Sequence, residues 1–249
     1  MMGRKYRNPP LVEALCEFKF IPNQPWDLTL PGLIYEKVRG KFPDKRQQIG
    51  IGVQFVSTEK GLEHKVEPTP PRVQFHKKDK TALIQVAPDL LAINQLKPYP
   101  TWNKFKPMIL EGFKVYKEIA DPKGFRRIGL RYINILEFKD EKIELKDYFQ
   151  YYPFIPDNMP RLHGPFLTRV EFPYEKRNEK LILTLSSLIS KKPDIIPILL
   201  DLDYAMAEPE YISLGQISEW LDKAHERVEN AFEACITNKA RDIFEEVES

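Results

Sequence analysis

Two aspartates separated by one residue are the first side chains in this sequence that could carry out chemistry. Asp201 and Asp203 lie in the segment ILLDLDYAM. Residues two positions apart on a strand point to the same side, so their carboxylates would project together. Carboxylates bind hard cations such as Mg²⁺, and Glu17 or Glu171 could complete a set of ligands. One hypothesis is therefore a metal-dependent hydrolase or nuclease.

Arginines and glutamates occupy the corresponding positions of other predicted strands. If the apolar residues of each strand face the core, the polar residues between them fall on the opposite face. Val170 and Phe172, for example, are expected to face the core. The charged residues predicted on the opposite face are Glu13, Glu17, Arg127, Arg131, Arg169, Glu171, Asp201 and Asp203. Such a face either binds a ligand, a peptide or a nucleic acid, or is a solvated sheet surface held by cross-strand ion pairs.

The histidines, cysteines and serines form no recognisable catalytic or metal-binding motif. The histidines are His64, His76, His163 and His225, and no two have the spacing of metal ligands. His225 is expected to pack beside the apolar stripe of a helix or to make a hydrogen bond. Cys16 and Cys235 are expected to be small buried hydrophobic residues. No cofactor is predicted.

Composition limits the classes of protein to which the chain can belong. It has 249 residues, 42% hydrophobic and 30% charged, which is enough for a full core. Its formal net charge of +2 gives no global electrostatic argument for nucleic acid or for a membrane surface. Basic and aromatic segments such as HKKDK and QYYPF still leave nucleic-acid binding open. Two cysteines and no apolar leader or span predict a cytoplasmic protein, while its oligomeric state stays open.

Periodicity predicts a series of strands and two long amphipathic helices. Strands are expected at 11–21, 49–59 and 125–138, within LLAINQL, FLTRVEFPY, KLILTLSSLI and DIIPILLDLDYAM, and in a hairpin turning near 78–80. The segment EPTPPR is expected to be a loop. Thr101 is predicted to cap the first long helix, which runs to about residue 120, and Ser213 is predicted to cap the second.

These elements predict an α+β fold, with an extended antiparallel sheet and two long amphipathic helices packed on one face. The segment at 150–165 is rich in proline and aromatic residues and is predicted to link an N-terminal α+β half, 1–149, to a C-terminal α+β half, 166–249. The halves form either two units or one continuous domain. The short matches CEFKF and VEFPY suggest the hypothesis of a pseudo-duplicated unit.

The two ends of the chain, and LLAINQLKPYPTWNKFKPMI between them, resemble a sporadically distributed family of bacterial and archaeal proteins of about this length. The residues that carry the resemblance are Pro9, Pro10, Glu13, Ala14, Glu17, Phe18, Trp220, His225 and Phe232. The resemblance implies a cytoplasmic prokaryotic protein. It also implies horizontally transferred loci, such as antiviral-defence loci of the CRISPR-accessory type. It implies no reaction and no catalytic residues.

The first functional hypothesis is a non-catalytic accessory or regulatory protein that binds an unidentified protein partner through its surface. The alternatives are the metal-dependent hydrolase or nuclease and a nucleic-acid-binding module that uses the strand arginines. Convergence of Glu17, Glu171, Asp201 and Asp203 in a concave pocket would favour the enzyme. A spread ladder of alternating charges would disfavour it.

Overall fold

The computed structural model describes residues 4–58, 61–139, 143–156, 158–160, 164–190, 192 and 194–247, with the backbone alone at 49–58 and 61–70. The side chain of His64 and all of His163 therefore lie outside the described residues. The strands are β1 Lys5–Tyr6, β2 Leu11–Ile21, β3 Asp44–Thr58, β4 Gly61–His76, β5 Ala82–Ala87, β6 Leu90–Leu96, β7 Gly124–Phe138, β8 Leu167–Tyr174, β9 Glu179–Ser187, β10 Ile196–Met206 and β11 Glu246–Val247. The helices are α1 Leu30–Val38, α2 Trp102–Ala120, α3 Leu145–Tyr148, α4 Ile217–Cys235 and α5 Asn238–Phe244, with a 3₁₀ turn at Glu175–Arg177.

Nine of these strands form one antiparallel sheet in the order β3-β4-β5-β6-β2-β7-β10-β9-β8, while β1 pairs with β11. The predicted α+β class with an extended antiparallel sheet is confirmed. Strands from both sides of the proline-rich segment share this sheet, because β7 pairs along its length with β10. The described residues between 150 and 165 contain no helix or strand. The matched segments CEFKF and VEFPY occupy different places, since β2 is interior and β8 is an edge strand.

The main core lies between the sheet and the two long helices. Helix α2 packs against β6, and α4 packs against β10 and β7. Phe18 and Phe20 of β2 meet Phe113 and Tyr116 of α2, and the rings of Phe20 and Tyr116 stack with centroids 4.4 Å apart. Aromatic side chains bury large apolar areas and contribute strongly to core stability. The predicted assignment of alternate residues of β2 to the core is thus confirmed, and Cys16 and Cys235 are buried.

The prediction of a loop at EPTPPR is wrong, because these residues lie within β4. Proline lacks an N–H, so a strand tolerates it only where no partner needs that donor. Residues 61–72 of β4 pair with β3, whereas pairing with β5 begins at Val73. This part of β4 therefore has one free edge among the described strands, which accommodates its prolines.

The two predicted helix caps also differ from the structure. Thr101 precedes α2 as predicted, but its side chain makes no capping hydrogen bond. Helix α4 begins at Ile217 with Gln216 as its N-cap residue, and the Ser213 hydroxyl donates to Oε1 of Gln216 at 2.8 Å. Ser213 therefore stabilises the turn before the helix and does not cap it. In the described part of the chain, no helix has both the length and the apolarity needed to cross a bilayer.

Candidate binding site on the charged sheet face

The face of the sheet opposite the long helices carries a shallow groove across three neighbouring strands. Pairing places Glu17 of β2 opposite Gly129 of β7, and Arg131 of β7 opposite Asp203 of β10. The groove has a volume of about 180 Å³ and is lined by Leu15, Glu17, Lys19, Arg127, Gly129, Arg131 and Asp203. Together with Asp201, which pairs with Arg131, these residues are called the charged groove below. Strand alternation brings them to one face, as the sequence predicts.

Arg127 links the carboxylates of the two strands that flank its own. Its Nη2 donates to Oδ2 of Asp203 at 2.7 Å, and its Nη1 lies 3.4 Å from Oε1 of Glu17. The guanidinium lies over Gly129, where a Cβ atom would be only 2.6 Å from Nη1. Burial raises the pKa of the Asp203 carboxyl, and the positive charges of Arg127 and Arg131 act against that shift. Gly129 thus creates the space in which the bridge forms.

Arg131 makes a bidentate ion pair with Asp201. Its Nε and Nη2 donate to the two carboxylate oxygens at 2.8 Å and 2.6 Å. This hydrogen bonding raises the pKa of the Arg131 guanidinium, so the group stays charged. Planar bidentate pairs of this kind are among the stronger charged hydrogen bonds in proteins. Arg131 and Asp201 therefore fasten β7 to β10.

Glu13 and Lys19 lie at the ends of this row on β2. Glu13 accepts a hydrogen bond of 2.6 Å from Nδ2 of Asn94, whose own Oδ1 accepts one from Gln85. The ammonium of Lys19 lies 3.9 Å from Oε1 of Glu17, which is longer than a hydrogen bond. Glu13 therefore belongs to an amide network on β5 and β6, while Lys19 remains at the solvent side of the charged groove.

Arg169 and Glu171 are not brought to the charged groove, because β9 separates β8 from β10. They pair with each other at 2.7 Å, and Glu171 also accepts from Lys180. Val170 and Phe172 lie on the predicted core face, opposite the buried Leu183 and Leu181, but they remain 39% and 40% exposed. Helix α4 packs against β7 and β10, so the apolar side of the edge strand β8 is left partly uncovered.

The carboxylates of this face are spread along the sheet, and each lies beside an arginine or lysine. Glu17 and Asp203 contact Arg127, Asp201 contacts Arg131, and Glu171 lies two strands away. Among the described residues, no three histidine, cysteine, aspartate or glutamate side chains cluster as metal ligands. The arrangement is the ladder of alternating charges that the sequence offered as the alternative to a metal site.

A buried hydrogen-bonded network on the helix side of the sheet was not predicted. The Tyr99 and Tyr132 hydroxyls are 2.9 Å apart, and the Tyr132 hydroxyl is 2.9 Å from Nδ1 of His225. Nε2 of His225 lies 3.3 Å from Oε1 of Glu229, and the imidazole stacks on Trp102 with centroids 4.2 Å apart. Burial lowers the pKa of His225 to about 4, against a smaller raising effect of Asp222. The expected packing or hydrogen-bonding role of His225 agrees with this position.

A second unpredicted feature is the fully buried carboxylate of Glu179. It accepts hydrogen bonds from the Tyr204 hydroxyl and from Nε1 of Trp220 at 2.8 Å, and it forms an ion pair with the ammonium of Lys223 at 2.8 Å. These donors come from β10 and α4, so Glu179 joins the start of β9 to both. No motif or periodicity marks Glu179 in the sequence.

Comparisons with known proteins add little to this geometry. No protein-family model and no curated protein matches the chain. Among solved structures, the S. pombe Pct1 RNA triphosphatase is 8% identical to this chain, with a TM-score of 0.17 over 94% of this chain and 81% of the other. A similarity at that level supports no argument about fold or function, and the function has to be argued from the charged groove itself.

Proposed function

We propose that the chain is a non-catalytic accessory or regulatory protein that binds a protein partner through the charged groove. This proposal rests on one observation: the positively charged side chains of the groove are more exposed to solvent than the negatively charged ones. The side chains of Lys19 and Arg131 are 49% and 42% exposed, whereas those of Asp201 and Asp203 are 10% and 18% exposed. A partner approaching from solvent meets the cations first, so the complementary group is an acidic side chain.

The outer cations keep hydrogen-bond donors that their internal partners do not use. Arg131 donates to Asp201 through Nε and Nη2, which leaves the hydrogens of Nη1 available to a ligand. Lys19 lies beyond hydrogen-bond distance of Glu17, so its ammonium can also turn to a ligand. Lys19 lies opposite Arg127, four residues before Arg131 on β7, so the two cations suit separate acidic side chains of an extended segment.

The charge balance of the groove favours a protein partner over a nucleic acid. The cations Lys19, Arg127 and Arg131 are matched in number by the carboxylates Glu17, Asp201 and Asp203. Nucleic-acid affinity depends largely on neutralising phosphates with an excess of positive charge. A balanced site instead suits short-range recognition of individual side chains. We also propose that the protein is encoded in a mobile or antiviral-defence locus, and only the family resemblance supports this.

Fluorescence anisotropy with defined probes tests this proposal. The probes are a labelled peptide of alternating Glu and Gly, its Lys–Gly counterpart, and a single-stranded DNA of equal length. We expect the acidic peptide to bind best and Lys19→Glu to weaken its binding about tenfold, because a cation is replaced by a like charge. The control Lys78→Glu changes an exposed lysine in the β4–β5 turn and should leave binding unaltered.

Several outcomes would overturn the proposal. Equal binding by wild type and Lys19→Glu would remove the charged groove from recognition. Tighter binding of the DNA, with a steep loss on adding salt, would favour the nucleic-acid module. Mg²⁺-dependent cleavage of DNA that is lost in Asp203→Asn would favour the hydrolase or nuclease.

If the acidic peptide binds as expected, a photocrosslinker at position 19 in the native host would identify the protein partner by its acidic contact segment.

A further inference from the structure

Strand β8 is an edge strand whose outer side has no partner among the described strands. Its apolar side chains are unusually accessible: Leu167 is 67% exposed, and Val170 and Phe172 are about two-fifths exposed. An exposed edge with apolar side chains is a template for pairing with another strand, and proteins normally protect such edges. The question is which strand is complementary to it.

The orientation of the backbone determines which residues of β8 can pair outward. The N–H of Ser187 donates to the carbonyl of Phe166 at 3.1 Å, so the Phe166 backbone is directed towards β9. Backbone groups alternate between the two sides of a strand, so the even-numbered residues of β8 bond to β9. The odd-numbered residues Leu167, Arg169 and Glu171 therefore present their N–H and C=O groups outward.

Charge then distinguishes between the possible registers of a second copy. In a two-fold antiparallel pair centred on residue 169, Arg169 lies opposite the partner's Arg169. In a pair centred on residue 171, Glu171 lies opposite the partner's Glu171. Both registers bring like charges together. Centring on Val170 sets Arg169 opposite the partner's Glu171, and by symmetry this favourable pair occurs twice. Like charges directly opposite each other destabilise a sheet, and opposite charges stabilise it.

We propose that β8 pairs with β8 of a second copy of this chain, antiparallel and with Val170 on the two-fold axis. The interface is isologous, the kind from which closed symmetric dimers are built. It joins two nine-stranded sheets into one continuous sheet. The charged groove spans β10, β7 and β2 and begins two strands inward from β8, so the dimer leaves it accessible.

The remaining residues of the edge agree with this register. Val170 contacts the partner's Val170 in a non-hydrogen-bonded pair, where opposite side chains are closest. Phe172 faces the partner's Thr168 on the same side of the sheet, which covers part of its exposed ring. Pro173 has no N–H, but its carbonyl can accept from Leu167 of the partner subunit. Pro173 of each copy therefore marks one end of the pairing.

Sedimentation velocity on the full chain, over a range of concentration and salt, tests the proposed dimer. We expect a reversible dimer that weakens with added salt. Arg169→Glu places Glu opposite Glu in both symmetric pairs and should raise the dimer dissociation constant about tenfold or more. Glu171→Arg should have the same effect, and the double variant R169E/E171R should restore association because it exchanges the charges in both copies.

A backbone variant separates pairing from charge. Arg169→Pro removes an outward N–H while leaving the bonds of β8 to β9 in place, so it should give a monomer with wild-type circular dichroism. Lys78→Glu and Lys19→Glu should leave the dimer intact. A wild-type chain that stays monomeric at all concentrations would overturn the proposal. A dimer indifferent to Arg169→Glu, or a double variant that folds but does not associate, would do the same.

Discussion

At the scale of single residues, the charged groove depends on the absence of a side chain at Gly129. Arg127 lies along the sheet over this glycine and reaches both Glu17 and Asp203. Strand alternation predicts that Arg127, Glu17 and Asp203 lie on one face, but it does not predict which cation contacts which carboxylate. Which carboxylates Arg127 contacts depends on the order of the strands and on the space over Gly129. The alternation of apolar and polar residues carries no information about either.

Gly129→Ala should destabilise the protein, although alanine is normally better than glycine in a strand by about 0.5–1 kcal/mol. The new methyl would lie 2.6 Å from Nη1 of Arg127, so the flexible guanidinium must move away. Its charged hydrogen bond to the partly buried Asp203 is then lost, which costs about 1.5–3 kcal/mol. We expect a net loss of about 1 kcal/mol in the free energy of unfolding, measured by urea denaturation.

Gly32→Ala in α1 is the matched control for this change. A Cβ at Gly32 would meet nothing within 4 Å, so only the helix propensity changes. We expect stabilisation by about 0.5–1 kcal/mol. If both substitutions shift the unfolding midpoint in the same direction, the Arg127 bridge contributes nothing to stability, and the account of Gly129 fails.

At the scale of elements, the network at His225 connects α4, through β7, to the segment before α2. Nδ1 of the neutral imidazole shares a hydrogen bond with the Tyr132 hydroxyl, Nε2 lies 3.3 Å from Oε1 of Glu229, and Trp102 covers the face of the ring. Trp102 in turn donates to Asp222, which also pairs with Lys106. These contacts hold the two long helices side by side. The sequence placed His225 beside an apolar stripe, but Tyr132, which bonds to it, lies 93 residues away in the chain.

Acid should weaken the fold through His225. Its pKa is about 4 in the folded protein and 6.5 when unperturbed, so between these values the unfolded chain binds the proton more tightly. The stability from keeping this residue neutral is present above pH 6.5 and is lost as the pH falls towards 4. We expect the free energy of unfolding to fall by about 2 kcal/mol from pH 7.5 to 4.5 through this group. Glu229, whose pKa is raised by burial, acts in the opposite direction.

His225→Gln isolates this contribution, because the carboxylates Asp222 and Glu229 remain in both proteins. Urea unfolding of the variant should depend on pH less steeply than that of the wild type over this range. His76→Gln on β4 is the control for loss of a histidine at a less buried position. If the free energy of unfolding changes with pH equally steeply in wild type and His225→Gln, the imidazole is protonated in the folded state without cost.

Element boundaries were predictable where the pattern was strong and local. Strand β2 begins and ends at the predicted residues 11 and 21, and the hairpin after β4 turns where expected. The prolines of β4 led to the loop prediction because proline is common in loops, whereas a strand paired on one side also accommodates it. Val170 and Phe172 lie on the predicted face but are partly exposed, since alternation indicates a face and not whether a helix covers it. Coverage depends on strand order, which non-local pairing determines.

At the scale of the whole molecule, sequence suggested two halves, whereas the structure places both in one sheet. Pairing of β7 with β10 joins them at the centre, and the ends meet where β1 pairs with β11. Glu179 and His225 add buried polar links between β9, β10, α4 and β7. The proline-rich segment at 150–165 is a reasonable linker by composition, but composition does not report that the strands on either side pair with each other.

This shared sheet predicts that the chain unfolds in a single cooperative step. Trp102 in α2 reports on the first half, and Trp220, bonded to Glu179, reports on the second. In each of two variants that retain one of these tryptophans, with the other and Trp26 replaced by phenylalanine, the fluorescence transition in urea should coincide with the far-ultraviolet circular dichroism transition of the same variant. The transitions are expected to coincide because separating the halves would expose the paired edges of β7 and β10 and the apolar face of α4. Fluorescence and circular dichroism midpoints that differ within one variant beyond experimental error would instead show that residues 1–149 and 166–249 are independently stable units that merely associate along β7 and β10.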